Sequence, residues 1–245
     1  MITLGIECSS RQGSLALLEG GKLLAEKSWI ADRVRHNTIF QSLEDLTKEA
    51  GISLREISLF AVGRGPGSFS GMRMSFAIAQ ALALPSKADV RAVSSGAALA
   101  LAVVREGAKK IAVVGDARRG QIWVGMFQAL ENVSADLPSI GMVSYPACEA
   151  LCSNAEGWKL VAYDEVCLPE GAVVVSPEAE RLTEIFPELA CPACPEQSRG
   201  EGARREKPRF PHAKEVAELA LLWAEPEPLE PLYMHPPVFV KPKFA

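Results

Sequence analysis

Histidine is scarce in this sequence, and the histidines that occur are not spaced as metal ligands. The 245 residues include 3 histidines, His36, His212 and His235. No two of them form H-x-x-x-H, and no H-E-x-x-H motif is present, although these spacings place two imidazoles on one face of a helix around zinc. There is also no G-x-S-x-G elbow for a nucleophilic serine. The sequence therefore gives little support to metallopeptidase or serine hydrolase chemistry.

Long apolar runs and an excess of basic charge are also missing. The longest strongly apolar run, Ala97–Val104, is far shorter than the roughly 18 residues of a membrane-spanning helix. The first residues carry no basic segment, which predicts that there is no signal peptide. The net charge of -4 argues against a protein that holds nucleic acid mainly by its own basic surface. We expect a cytoplasmic protein that meets RNA only through a partner.

Cysteine is sparse, and its spacing does not define a metal site. With 6 cysteines in the chain, reduced thiols are expected rather than a disulfide framework. Cys191 and Cys194 form a lone C-x-x-C, and Cys148 with Cys152 is only a loose second pair for zinc. Ordinary loop cysteines are the default interpretation, and no metal is predicted.

The N-terminal part reads as strands followed by a helix. Met1–Glu7, Ser14–Leu18 and Lys22–Trp29 are apolar runs joined by short turns, a pattern typical of an antiparallel meander. Gly20-Gly21 predicts a tight hairpin turn between the last two runs. Apolar residues at helical spacing then predict a helix over Arg35–Ala50, which Gly51 is placed to end.

Strands and helices alternate in the next segment. Ile57–Val62 and Val90–Val93 are predicted strands, and Met72–Leu84 and Ser95–Arg105 are predicted helices, the second capped by Ser94 or Ser95. This alternation is typical of an α/β fold.

A strand that ends in an acid, a polar turn and a second strand occur twice in the chain. The first copy ends at Glu7, and the second runs from Ile111 to Asp116 with a following strand at Gln121–Phe127. The repeat predicts two similar α/β halves, residues 1–105 and 106–245. In the second half we expect a mobile Arg-rich loop at 195–211, an amphipathic helix over Lys214–Trp223 and an extended Pro-rich tail at 226–245.

The glycine-rich loop from Gly63 to Gly71 lies between a predicted strand and a predicted helix. Backbone N–H groups at such a place can hold a phosphate. The loop fits neither G-x-G-x-x-G nor the Walker A pattern, because no Gly-Lys-Ser/Thr follows it. The alternative is that the glycines let the helix approach the strand closely.

The two helices on either side of this loop could form a surface for another protein. The first has an apolar seam near the 3.5-residue repeat of helix bundles, and the second is rich in small residues that permit close helix approach. The alternative is that both seams are buried against the chain's own sheet. The residues predicted for a partner surface are His36, Ile39, Phe40, Leu43, Leu46, Met72, Ser75, Phe76, Ala79 and Leu82.

Four segments together resemble the TsaB (YeaZ) family. Gly63–Arg73 (GRGPGSFSGMR) resembles the family signature GRGPGSFTGLR, and Asp116–Trp123 resembles D-A-R-x-G-E-V-Y. Ile6–Ser10 with Ser14–Leu17 resembles the family's opening strand-turn-strand, and Pro231–His235 resembles its P-x-Y-L-R ending. His36 lies where the family has a histidine that opens the first helix. The resemblance covers residues 1–128 well and resumes near the C-terminus.

The resemblance implies a two-lobed actin/Hsp70-like ATPase fold, which is ribonuclease H-like, with a mixed sheet and helices in each lobe. It also implies a non-catalytic partner in tRNA threonylcarbamoyladenosine synthesis, which stabilises and activates a TsaD-type transferase and docks a TsaE-type ATPase. The H-x-x-x-H metal site of TsaD has no counterpart in the matching stretch Arg91–Ala98. A homodimer is expected in the absence of TsaD, with tRNA contacted only through the complex.

A nucleotide site, if one persists in this fold, would lie at the two acid-ended strands. Glu7 replaces the usual aspartate of the family at the first of these strands. A second departure, Met234-His235 in place of Leu-Arg in the tail, matters only if the family's arginine makes a contact. No cofactor of its own is expected, and ATP or ADP only within the complex. The alternative function is an ATP-dependent small-molecule or acyl-phosphate kinase of the same fold. The nucleotide-site candidates are Glu7, Ser9, Ser10, Asp116 and Arg118.

Overall fold

The computed structural model describes residues 1–31, 38–130, 139–142, 152–153, 157–166, 168–169, 171–185, 208–223 and 227–235. The predictions for His36, Cys148, Cys191, Cys194, most of the Arg-rich loop and the tail beyond residue 235 lie outside these residues. None of the described helices is long and apolar enough to cross a membrane.

The first sheet is built around the predicted meander. Strand β1 pairs antiparallel with β2 and parallel with β4, and the strand order is β3-β2-β1-β4-β5. Gly20 and Gly21 have φ values of 56° and 88°, which the two-residue turn between β2 and β3 requires. The meander and its turn are confirmed. The strands are β1 (Ile2–Glu7), β2 (Gln12–Glu19), β3 (Lys22–Ile30), β4 (Ile57–Gly63) and β5 (Asp89–Val93).

Two helices pack on one face of this sheet. Helix α1 (Thr38–Ala50) lies on β2 and β3, and helix α2 (Phe69–Ala83) lies on β1, β4 and β5. Gly51 ends α1 with a φ of 66°, as predicted. Helix α2 begins before the predicted Met72, because the Ser68 Oγ accepts the Gly71 N–H at 3.3 Å and caps an earlier first turn.

The second sheet repeats the arrangement of the first. Strand β6 pairs antiparallel with β7 and parallel with β11, just as β1 does with β2 and β4. The order is β11-β6-β7-β10-β9, and β8 also pairs with β7. This topology supports the predicted duplication. The strands are β6 (Lys110–Arg118), β7 (Gln121–Leu130), β8 (Ser139–Met142), β9 (Cys152–Ser153), β10 (Lys159–Ala162) and β11 (Val173–Val175).

Two of the remaining described α-helices lie between the two sheets, and the third packs on the second sheet. Helix α3 (Ser95–Arg105), capped by Ser94, packs on β6, β7 and β8, and α4 (Ala179–Ile185) packs on β6. Helix α5 (Ala213–Leu222) packs on α3 and on β1, β2 and β4 of the first sheet. Helices α3 and α5 therefore lie in a core shared by both sheets. The division at residue 105 stays a prediction, since α5 follows that point in the chain yet covers the first sheet.

Candidate functional site

The acid at the end of β1 is fully buried and has partners of its own. The Glu7 side chain is 0% exposed. Its Oε1 accepts the Ser9 N–H at 2.5 Å, and its Oε2 accepts the Ser95 O–H at 2.6 Å. The Ser95 oxygen in turn accepts the Gly65 N–H at 2.9 Å. Glu7 therefore ties together the end of β1, the start of α3 and the glycine loop.

Burial makes the Glu7 carboxyl group harder to ionise. Removal from water raises the pKa of Glu7, and the hydrogen bonds from Ser9 and Ser95 act in the opposite direction. The pKa of Glu7 in the folded chain lies above that of an unfolded glutamate, so protonation of Glu7 stabilises the folded state. This stabilisation is fully present below the unfolded pKa. It is lost as the pH rises through the folded pKa.

A Glu7→Gln variant should lose this pH dependence. The amide can accept the Ser9 N–H and donate to the Ser95 oxygen, and it does not ionise. We expect the variant to gain stability relative to the parent chain as the pH rises from about 4.5, near the unfolded pKa of glutamate, to about 8. Urea unfolding of both proteins at several pH values measures the difference. The exposed control Glu19→Gln should show no such trend, and a constant difference for Glu7→Gln would contradict the assignment.

The glycine loop is packed directly on the turn that follows Glu7. A Cβ at Gly67 would overlap the Ser9 carbonyl oxygen, and a Cβ at Gly71 would overlap that of Cys8. The Ser68 N–H donates to the Ser9 carbonyl at 2.6 Å. The geometry thus supports close approach of helix and strand as the role of these glycines, rather than a phosphate cradle.

Two further nucleotide-site candidates serve the β1–β2 turn itself. Ser9 is 3% exposed beneath the glycine loop. The Ser10 Oγ donates to the Gln12 carbonyl at 2.9 Å and accepts the Gln12 N–H at 3.2 Å. The hydrogen bonds of Ser10 are local and hold the turn in its shape, while the Ser9 carbonyl binds the glycine loop through the Ser68 N–H.

The acid near the end of β6 forms ion pairs with two arginines. The buried Asp116 carboxylate lies 3.1 Å from Arg118 and 2.9 Å from Arg181, and it accepts the Tyr163 O–H at 3.1 Å. Glu178 accepts the Asp116 N–H at 2.7 Å, and burial raises the pKa of Glu178. Among the described residues, no group of three His, Cys, Asp or Glu side chains is placed to hold a metal. The residues that bind the Glu7 side chain lie within residues 1–105, and the side chains that bind the Asp116 carboxylate lie within residues 106–245.

Most residues predicted for a partner surface lie inside the chain's own core, so the prediction is wrong for them. Their apolar stripes face the first sheet, which was the alternative interpretation. Phe40 is 55% exposed, Leu82 is half-buried against the same core, and His36 lies outside the described residues. The buried residues are Ile39, Leu43, Leu46, Met72, Ser75, Phe76 and Ala79.

The opposite side of α2 carries a different apolar stripe. Met74, Ala77, Ala81 and Leu84 are all exposed, Met74 to 39% and Leu84 to 77%. Their spacing of three, four and three residues is that of a helix-bundle seam. We call these four residues the α2 face. We now apply to this exposed surface the prediction that α2 pairs with a helix of another protein.

Known proteins with similar sequences are named for the formation of threonylcarbamoyladenosine in tRNA. The model of the family described as "TsaD: tRNA N6-adenosine threonylcarbamoyltransferase" matches residues 30–151. The tRNA threonylcarbamoyladenosine biosynthesis protein TsaB of Escherichia coli is 33% identical over 133 residues, which are 54% of this chain and 57% of that protein. TsaB of Haemophilus influenzae is 28% identical over 174 residues, 69% of this chain and 65% of that protein. The chain thus spans about three fifths of the length of these relatives.

The solved structure of YeaZ from Pseudomonas aeruginosa has the same fold. It superposes with a TM-score of 0.67 at 23% identity, and the match covers 95% of this chain and 99% of that chain. In sequence and in fold, the chain is similar to the TsaB (YeaZ) proteins. Its fold is that of this YeaZ structure, and it contains two mixed sheets with helices packed on them, as the resemblance implied.

The glycine-rich signature contains one buried, paired charge that sequence reasoning missed. Arg64 is 1% exposed, and its Nε–H donates to the Glu230 carbonyl at 2.9 Å. It also pairs with the Glu227 carboxylate at 3.3 Å. The available signal was an arginine between two glycines directly after a buried strand, where a charge needs a partner.

The altered tail residue also makes a contact. His235, which replaces the arginine of the P-x-Y-L-R pattern, lies with its Nε2 2.7 Å from the Ala117 carbonyl oxygen. The tail therefore reaches from the glycine loop to β6 of the second sheet.

Proposed function

We propose that this chain is a non-catalytic partner subunit in the formation of threonylcarbamoyladenosine in tRNA. The observation that carries the proposal is the exposed α2 face, an apolar seam on a protein whose curated relatives are named for this biosynthesis. Through this face the chain pairs with a TsaD-type transferase, stabilises and activates it, and docks a TsaE-type ATPase. It contacts tRNA only through that complex, in the cytoplasm.

The chemistry of the α2 face suits pairing with another helix. Ala77 and Ala81 in the middle of the stripe allow two helix axes to approach to the low end of about 8–10 Å. Met74 and Leu84 at its ends supply apolar surface that is otherwise left in water. A homodimer through the same face would be isologous and would compete with the transferase.

The two acids support a non-catalytic role rather than the kinase alternative. A kinase of this fold would need Glu7 and Asp116 available around a nucleotide and its metal ion. The Glu7 carboxylate is instead 0% exposed and bound by Ser9 and Ser95, and Asp116 is held between two arginines. Catalysis in the complex then belongs to the partner.

Reconstitution tests the proposal directly. The chain and the TsaD-type transferase of the same organism should co-purify, and tRNA modification by the purified components should depend on adding this chain. The isolated chain should neither hydrolyse ATP nor phosphorylate small substrates above background. Modification at the same rate without the chain would contradict the proposal, and ATP turnover by the chain alone would favour the kinase.

A further inference from the structure

The C-terminal segment 227–235 is anchored to the glycine loop by a single buried arginine. Arg64 donates to the Glu230 carbonyl and pairs with Glu227, and its own carbonyl accepts the Leu232 N–H at 2.7 Å. Glu227 also accepts the Ser94 N–H at 3.1 Å. A buried guanidinium is stable only with such partners, so this segment and Arg64 depend on each other.

This anchoring places an aromatic ring beside the start of α2. The Tyr233 ring lies with its centroid 5.0 Å from that of Phe69, and the Arg73 guanidinium carbon lies 5.2 Å from the Phe69 centroid. Phe69 is 57% exposed and Tyr233 is 43% exposed. We call Phe69, Arg73 and Tyr233 the aromatic cluster.

The composition of the cluster is that of an interface rather than of a core. Tyr, Phe and Arg are enriched where proteins bind each other, and Tyr and Arg dominate the binding energy there. Phe69 and Arg73 belong to the first turns of α2, so the cluster continues the α2 face toward the glycine loop.

The charge of the cluster identifies the chemistry of its partner. Arg73 is the single charged residue of α2, and no carboxylate among the described residues forms an ion pair with it. An acidic side chain on a docked helix would meet Arg73, and an apolar side chain one turn away would cover the Phe69–Tyr233 pair.

We propose that the C-terminal segment is part of the docking surface, and that the aromatic cluster receives an acidic residue and a neighbouring apolar residue from a helix of the transferase. This inference rests on the proposed function. It adds that Tyr233 is a contact residue and that Arg64 is a positioning residue, which acts by holding the segment in place.

Titration of the full chain with the transferase, followed by calorimetry, tests the cluster. Tyr233→Ala should weaken binding at least tenfold, and Tyr233→Phe should bind like the parent because the ring rather than the hydroxyl makes the contact. Arg73→Gln should weaken binding, whereas Arg73→Lys should retain part of it. The control Leu229→Ala removes a side chain that is 46% exposed in the same segment and should bind like the parent.

Arg64→Lys tests the positioning role. Lysine keeps the charge but lacks the planar fork that contacts both Glu227 and Glu230. Chymotrypsin should then cleave after Tyr233 faster than in the parent. The loss of affinity should match that of Tyr233→Ala, and the double variant should lose no more than either single variant. Unchanged cleavage together with unchanged affinity would refute the positioning role.

The outcomes separate this inference from the proposed function. If Tyr233→Ala binds within twofold of the parent while an arginine placed in the α2 face prevents binding, the inference is overturned and the proposed function stands. If neither variant affects binding, both this inference and the proposed pairing through the α2 face are wrong. If Tyr233→Ala weakens self-association in sedimentation experiments but not transferase binding, the occupant is a second copy of the chain and the inference is also overturned.

Discussion

Replacing Ala77 by arginine is expected to abolish binding of the transferase and leave the chain folded, whereas the same replacement at Ala79 is expected to unfold the chain. The two alanines lie two positions apart in α2 and on opposite sides of it. Ala77 is exposed on the α2 face, and Ala79 is 0% exposed against the first sheet. An arginine at position 79 would bury an unpaired charge at a cost of several kcal/mol, a large part of the roughly 5–15 kcal/mol that stabilises a typical domain.

Binding and stability must be measured on both variants. Urea unfolding should be nearly unchanged for Ala77→Arg and strongly weakened or lost for Ala79→Arg, while titration with the transferase should show no binding for Ala77→Arg. Ser28→Arg, at an exposed position of β3, controls for added charge. A folded Ala77→Arg variant that binds the transferase like the parent would place the interface elsewhere. A stable Ala79→Arg variant would contradict the packing of α2.

Local chemistry made the secondary structure predictable. The Gly20-Gly21 turn, the end of α1 at Gly51 and a serine cap on α3 follow from residues with strong conformational preferences, and all three are confirmed. Of the two serines predicted for the cap, Ser94 is the one that caps α3. The strand that ends in an acid and the hairpin that follows it also recur as predicted, because both depend on short contiguous patterns.

What covers the apolar side of a helix was not predictable in the same way. The stripe with Ile39, Leu43 and Leu46 shows that one side of α1 is buried, but periodicity cannot say whether a sheet or another protein covers it. On α2 the stronger apolar stripe faces the sheet, and the weaker stripe of Met74 and Leu84 is exposed.

Contacts between distant positions account for what sequence reasoning missed. Arg64 and Glu230 are 166 positions apart, and no local pattern links them. The roles of Glu7 and the glycines likewise depend on which backbone groups lie across from them in the folded chain. Residue types indicated that these positions were special, and only the three-dimensional arrangement showed that they serve packing.

Gly71→Ala is expected to destabilise the chain by about 3 kcal/mol, the upper end of the usual range for overpacking. In an ordinary helix this change would stabilise by up to about 1 kcal/mol, because alanine is the better helix former. Here the added Cβ would overlap the Cys8 carbonyl oxygen, and a backbone atom held in β1 and its turn cannot rotate away. Urea unfolding should show a lower midpoint with an unchanged slope.

The neighbouring residue supplies the matched control. Ser70 is exposed in the same turn of α2, so Ser70→Ala should change the free energy of unfolding by no more than about 0.5 kcal/mol. If Gly71→Ala is as stable as Ser70→Ala, α2 can move away from the β1–β2 turn at little cost. The glycines would then not be needed for close approach, and phosphate binding by the loop would again be the better interpretation. A loss confined to Gly71→Ala would instead show that the signature maintains the contact between α2 and the turn after Glu7.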